Sequence, residues 1–322
     1  MRAFLMLLSL LAMPALIQSA RAQSWPAKGG RIVVTAAPGG TLDALGRTLG
    51  DVFTRDFGQT WVIETRAGVS GNLGAEFVAN TAADGYTVLV CPPGPFSVNP
   101  HLLPSMPFDP VRDLQPVTQL AVAPLLLLVH PSVPARNLKE FIDWARSSGK
   151  VNFASQGIGS ISQLAMELVR SKFPFQANHI PYKGSATAAT DLLAGHVLVA
   201  FDNATQALPN VRAGKLRALG VAELKRLNVA PEIPTLDESG IPGFEANTWF
   251  ALSVRAGTPK DIVNKLYGET VRALNRPEIV ERFAKTGVDI RTSASPEEFA
   301  AYVKADSDKW GAIIRAIGAK AD

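Results

Sequence analysis

The sequence predicts an α/β protein of two lobes joined by two hinge strands, with the second lobe inserted into the first. Three observations predict it. Apolar strands and amphipathic helices alternate over residues 31–91, the same alternation restarts at Leu125, and two strand-like crossings, around 117–128 and 247–254, bracket the middle segment. A chain of 322 residues also suits two lobes of ordinary size better than one large domain.

The elements follow in order. Arg31-Ile32-Val33-Val34-Thr35 is a β-rich apolar run, and Pro38-Gly39-Gly40 after it is a turn. Leu42, Leu45, Leu49, Val52 and Phe53 recur at helical spacing and predict a helix over 42–57. Trp61-Val62-Ile63-Glu64 is the next strand, a helix over 73–82 stops at Asp84-Gly85, and a strand over 86–91 follows. This β-α-β-α-β order predicts a parallel sheet with helices on both faces.

Proline is frequent from 92 to 134, an irregular stretch that leads into Leu125-Leu126-Leu127-Leu128-Val129. The second unit then has helices over 138–146, 162–172 and 187–194, and strands over 151–154, near 179–180, over 197–201 and over 216–221. Another irregular passage, 231–246, precedes the strand-like Trp249-Phe250-Ala251-Leu252-Ser253-Val254. The remainder, 260–322, is helix-rich, with Pro259 as a helix opener. The expected division is a signal peptide over 1–22, lobe 1 over 23–124 and 248–322, and lobe 2 over 125–247.

Met1-Arg2, an apolar run over 3–17 and then Ala20-Arg21-Ala22 read as a secretory signal peptide cleaved after Ala22. The apolar run falls short of the roughly 20 residues that a membrane-spanning helix needs. Hydrophobic side chains make up 47% of the chain and charged ones 19%, which excludes a disordered or fibrous protein. Without Arg2 and Arg21 the balance is 30 cations against 28 acids, or +2, scattered singly rather than in a basic stripe. No nucleic-acid partner is therefore expected. The single Cys91 can form no internal disulfide, and at the end of an apolar strand it reads as core.

Three loops carry the functional reading, because each follows a predicted strand and opens a helix. They are Ala37-Pro38-Gly39-Gly40-Thr41-Leu42-Asp43, Ser155-Gln156-Gly157-Ile158-Gly159-Ser160-Ile161-Ser162 and Lys183-Gly184-Ser185-Ala186-Thr187. Loops at the carboxyl ends of parallel strands are where α/β sheets bind ligands. A helix start offers unpaired N–H groups and a partial positive charge, which suits a carboxylate. Thr41, Ser155, Ser160 and Thr187 add hydroxyls, and the loops contain little Arg. Gly68-Val69-Ser70-Gly71-Asn72-Leu73-Gly74 is a fourth such loop, and Asp202-Asn203 at a strand end points the same way.

A plainer reading stands beside this one. Ser160 with Gln163 is a capping box, Thr41 with Asp43 an ordinary cap, the Gly71 loop tight packing and Asp202 a turn residue. Recurrence of such loops in both lobes favours binding. Gly39-Gly40 is followed by no Gly-Lys-Ser/Thr and lacks G-x-G-x-x-G spacing, so neither a phosphate loop nor a dinucleotide site is expected. No metal-ligand spacing, G-x-S-x-G elbow or Ser/His/Asp set occurs, and His179 reads as structural. The expectation is a binding protein without metal or cofactor, with an exported hydrolase as the rival.

These residues resemble the tripartite tricarboxylate transporter receptors, the periplasmic solute-binding proteins of the Bug family. The resemblance rests on Trp25-Pro26-Ala27-Lys28 and Ala-Pro-Gly-Gly-x-x-Asp at 37–43, then on Gly71-Asn72-Leu73-Gly74-Ala75, Asp84-Gly85-Tyr86-Thr87 and Asn99-Pro100-His101-Leu102. It continues through Pro181-Tyr182-Lys183-Gly184, Asp191-Leu192-Leu193-Ala194-Gly195, Gly214-Lys215-Leu216-Arg217-Ala218-Leu219, Ile233-Pro234-Thr235-Leu236 and Ala256-Gly257-Thr258-Pro259. The blocks cover almost the whole mature chain.

The resemblance implies a Venus-flytrap periplasmic-binding-protein fold of type II, a monomer in the periplasm, and no catalysis. It implies that the lobes close on a small carboxylate and present it to a membrane permease, with a sensor kinase as the alternative partner. The ligand would be held by backbone N–H groups, hydroxyls and water around Ala37, Gly39, Gly40, Thr41, Asp43, Gly71, Ser155, Ser160, Thr187 and Asp202. Three positions depart from the family pattern. Ala36 stands where an aromatic often precedes the Ala-Pro-Gly-Gly block, a usual His is replaced near Gln163, and Thr187 replaces Pro. Ala36 is expected to enlarge the pocket and Thr187 to add a donor.

Overall fold

The computed structural model describes residues 25–319, so the expected signal peptide lies outside the described residues. The strands are β1 (Gly30–Val34), β2 (Trp61–Thr65), β3 (Thr87–Cys91), β4 (Leu114–Val129), β5 (Val151–Ser155), β6 (Ala177–Pro181), β7 (Val199–Asn203), β8 (Arg217–Val221), β9 (Asn247–Arg255) and β10 (Asp289–Ile290). The helices are α1 (Thr41–Phe57), α2 (Asn72–Ala79), α3 (Asn99–Leu102), α4 (Pro110–Asp113), α5 (Leu138–Ser147), α6 (Ile161–Lys172), α7 (Ser185–Leu193), α8 (Ala204–Arg212), α9 (Lys260–Leu274), α10 (Pro277–Ala284) and α11 (Pro296–Ile317).

The strand order is β2-β1-β3-β9-β4-β7-β5-β6, with β8 and β10 also paired to β4. Two long strands join the lobes. Residues 114–124 of β4 pair with β9, whereas 125–129 pair with β7 and β8, so the partner changes between Pro124 and Leu125. The fold is the expected two-lobed α/β arrangement, the second lobe inserted into the first.

The parallel pairing expected of β1, β2 and β3 is observed, and β9, which runs antiparallel to β3 and β4, makes the first-lobe sheet mixed. The β-α-β-α-β pattern governs only the local crossovers. β9 enters from the far end of the inserted lobe, and its direction is set by where that lobe returns the chain.

Period-2 alternation sorts each first-lobe strand onto two faces. Ile32, Val34, Val88, Val90 and Phe250 pack beneath Leu42, Leu45, Leu49 and Phe53 of α1. Val33, Leu89, Cys91 and Trp249 face the other way, onto α2 and onto Phe299 of α11. Cys91 is fully buried, and burial raises its thiol well above the ordinary range. α1 ends at Gly58, whose φ of 68° is the left-handed conformation of a helix stop.

Segment 204–212, unassigned from sequence, is helix α8 with Pro209 in its interior. Proline weakens the helical pattern there, and the helix is held by burial of Ala204, Ala207 and Leu208. Part of the proline-rich stretch is also helical, since Gly94–Val98 forms a π turn that runs into α3, and Pro110 opens α4.

Candidate functional site

Where the two lobes face each other, the first turns of α1 and α7 enclose a cavity of about 40 Å³. Ala36, Ala37, Gly40, Thr41 and Leu42 line it from the α1 side, with Thr35, Gly68, Ser70 and Pro92. Gln156, Tyr182, Gly184, Ser185 and Asn203 line it from the second lobe, and Phe250 of β9 forms an apolar part of the wall. Lys183 is the one lining residue with a side chain charged at neutral pH, and it is exposed.

The sequence puts N–H groups at this wall. Gly40 and Gly184 are the N-caps of α1 and α7, and neither has a side chain to satisfy the helix start. Asn203, the N-cap of α8, makes no side-chain capping bond either, and its buried Oδ1 has no partner. Two or more uncapped helix starts around one small space give a concentrated positive potential without a formal charge.

The cleft is closed. Ala37 N–H donates to the Lys183 carbonyl at 3.0 Å, Thr41 Oγ1 lies 2.8 Å from Thr205 Oγ1, and Gln206 Nε2 donates to the Gly39 carbonyl. Side chains are excluded where the backbones meet. A Cβ on Gly184, at φ +121°, would lie 3.3 Å from Ala36 Cβ, and one on Gly157, at φ +131°, would lie 3.2 Å from Ser70 N.

Of the residues singled out by sequence, Ala37, Gly40 and Thr41 line the cavity. Gly39 sits at the rim, its N–H bonded at 3.0 Å to Asp43 Oδ2. Asp43 is buried behind it and also accepts from Arg47 Nε at 3.0 Å, so it fixes the loop from within. Gly71 lies under the cavity against Thr35 and two prolines.

The second-lobe hydroxyls are engaged away from the cavity. Ser155 Oγ bonds His179 Nε2 and the Gly157 carbonyl. Ser160 Oγ accepts from Gln163 N–H at 3.3 Å and so caps α6, while Gln163 Oε1 accepts from the N–H of Gly159, one residue before the cap, at 2.8 Å. Thr187 Oγ1 donates to the Gly184 carbonyl at 3.0 Å. Asp202 lies buried beneath the wall, where its Oδ1 accepts from Gln156 Nε2 at 2.9 Å, from Asn203 N–H at 2.8 Å and from Ser185 Oγ. Burial pushes its carboxyl up to about 6, against the opposite pull of those three donors.

Ser70, Gln156, Ser185, Asn203 and Phe250 line the cavity and were not singled out. Four of them adjoin or lie within the loops quoted above, so the missing information was which way each side chain turns. Ser70 carries a further mark, since Val69 and Ser70 both adopt positive φ, 46° and 48°, and such strain concentrates at functional loops.

Among the described residues no helix is long and apolar enough to cross a membrane, and no group of three His, Cys, Asp or Glu could hold a metal ion. Residues 45–319 match the model of the tripartite tricarboxylate transporter family receptor. Protein BugT of Bordetella pertussis is 34% identical over 93% of this chain and 92% of its own. An R. palustris protein solved with adipate superposes with a TM-score of 0.87 at 32% identity, over 91% of this chain and 98% of that one. MatC from Rhodopseudomonas palustris with bound malate gives 0.85 at 30%, over 90% and 99%. The periplasmic binding protein BugD gives 0.87 at 31%, over 92% and 99%. Matched over most of its length in sequence and in fold, this chain belongs to the tripartite tricarboxylate transporter receptor family.

Proposed function

We propose that the chain is a periplasmic receptor that closes its two lobes on a small carboxylate and delivers it to a tripartite tricarboxylate-type permease. One observation carries the reading. The uncapped first turns of α1 and α7, one from each lobe, meet across a cavity whose wall has no buried charged side chain. An anion there takes its hydrogen bonds from backbone N–H groups, and both lobes must be present to supply them. Closure is then coupled to binding, because the ligand contacts half of its site only in the closed form.

Ala37, Gly40, Thr41 and Ser185 are the proposed direct contacts, with Phe250 and Ala36 against the apolar part of the ligand. Gly39, Asp43, Gly71, Ser155, Ser160, Thr187 and Asp202 shape or support these loops. The change of β4 partner at Pro124–Leu125 supports a lobe division at 124/125 and 247/248. The apolar run and Ala20-Arg21-Ala22 support export with cleavage after Ala22. The two R. palustris relatives were solved with adipate and with bound malate, which supports the carboxylate class.

A thermal-shift screen tests the assignment. At one hundred times its dissociation constant a ligand stabilises the native state by about 2.7 kcal/mol, so at least one small carboxylate is expected to raise Tm by several degrees. Stabilisation by sugars or cationic amines alone contradicts it.

A further inference from the structure

Resting on the carboxylate reading, we propose that Asp202 is a positioning residue that fixes Ser185 as a hydrogen-bond acceptor toward the cavity, so that the preferred ligand carries a hydroxyl or ammonium donor beside its carboxylate. The geometry is a hub. Oδ1 of this buried side chain accepts from Gln156 Nε2, Ser185 Oγ and Asn203 N–H, and all three of those residues line the cavity.

An ionised carboxylate can only accept, so each partner must spend a donor on it. Ser185 has one hydroxyl proton. With that proton on Asp202, Ser185 can offer the cavity lone pairs and nothing else. Gln156, held through one hydrogen of its NH2 group, keeps both Oε1 and a second N–H for other partners. Asn203 adds a buried Oδ1 that has no partner. Ser185 is thereby limited to accepting on the cavity side, and an unsubstituted alkyl chain placed against it and against Asn203 Oδ1 would leave those acceptors unpaired, a cost comparable to a lost hydrogen bond.

The scale of the cavity sets where the donor lies. At about 40 Å³ it brings the helix starts and the acceptors within a few atoms of one another. A Cβ on Gly40 would stand 3.8 Å from Ser185 Cβ. The ligand donor is accordingly on the carbon next to the carboxylate, as in 2-hydroxy and 2-amino acids. The negative charge of Asp202, directly behind Ser185, favours such a donor and disfavours a second ionised carboxylate at the same wall.

Calorimetric titration with matched pairs tests this: propanoate against 2-hydroxypropanoate and alanine, and succinate against malate and aspartate. In the unaltered chain at least one substituted member is expected to bind about tenfold tighter than its parent acid. In Asp202→Ala, which removes the acceptor oxygen and lets Ser185 turn its proton to the cavity, the preference is expected to fall to within about threefold. Ser185→Ala, which removes that acceptor and leaves Asp202 in place, is expected to lose the preference too, and it serves if Asp202→Ala does not fold. Equal binding within every pair, or preference for the unsubstituted acid, overturns the proposal while leaving the carboxylate reading intact. Binding of no carboxylate at all overturns that reading and this proposal with it.

Discussion

Thr41 Oγ1 and Thr205 Oγ1 lie 2.8 Å apart, tying the first residue of α1 to the second residue of α8 across the cleft. Thr205 does not line the cavity, so its hydroxyl bears on closure and not on the ligand. A hydrogen bond present only in the closed form contributes about 0.5–1.5 kcal/mol to binding. Thr205→Ala is expected to weaken carboxylate affinity about two- to tenfold by calorimetry, with the melting temperature of the ligand-free chain unchanged. Unaltered affinity would show that closure does not use this contact.

Ser160 and Ser185 separate capping from recognition within one lobe. Ser160 Oγ caps α6, buried and engaged with Gln163 N–H and the Gly157 carbonyl. Ser160→Ala is expected to cost about 0.5–2 kcal/mol of stability in denaturant titration and to leave affinity within twofold. Ser185→Ala is expected to do the reverse, moving affinity more than stability. If Ser160→Ala abolishes binding at temperatures well below its melting transition, the cap also serves the ligand.

Asp202 gives stability a pH signature. Burial raises its native carboxyl from the ordinary 3.8 to about 6, so between those values the native state holds a proton that the unfolded chain has released. Its contribution to stability therefore falls as pH rises through this window, and the penalty is complete above about 6. The size is about 3 kcal/mol. Denaturant titrations at pH 4 and pH 7.5 are expected to show the parent losing about that much more than Asp202→Asn. Parallel curves for the two proteins would refute it.

The lobes, the order of elements and the three loops were legible because period-2 and period-3.6 patterns and glycine turns are local signals. Ala37, Gly40 and Thr41 were found that way. The direction of β9 was not legible, since it depends on how a distant insertion returns the chain. Nor was the turning of side chains: Thr187 lies on a promising loop, yet its hydroxyl bonds the Gly184 carbonyl, while neighbouring Ser185 faces the cavity. α8 was missed because Pro209 argues against a helix that tertiary burial sustains.

The most direct test is a crystal structure of the chain with the strongest carboxylate stabiliser from the screen. The expected result is a closed cleft with the ligand carboxylate accepting hydrogen bonds from N–H groups in the first turns of both α1 and α7, at about 2.7–3.2 Å directly or through one water. A carboxylate bound by lysine or arginine side chains, or contacted by one lobe alone, would contradict the account.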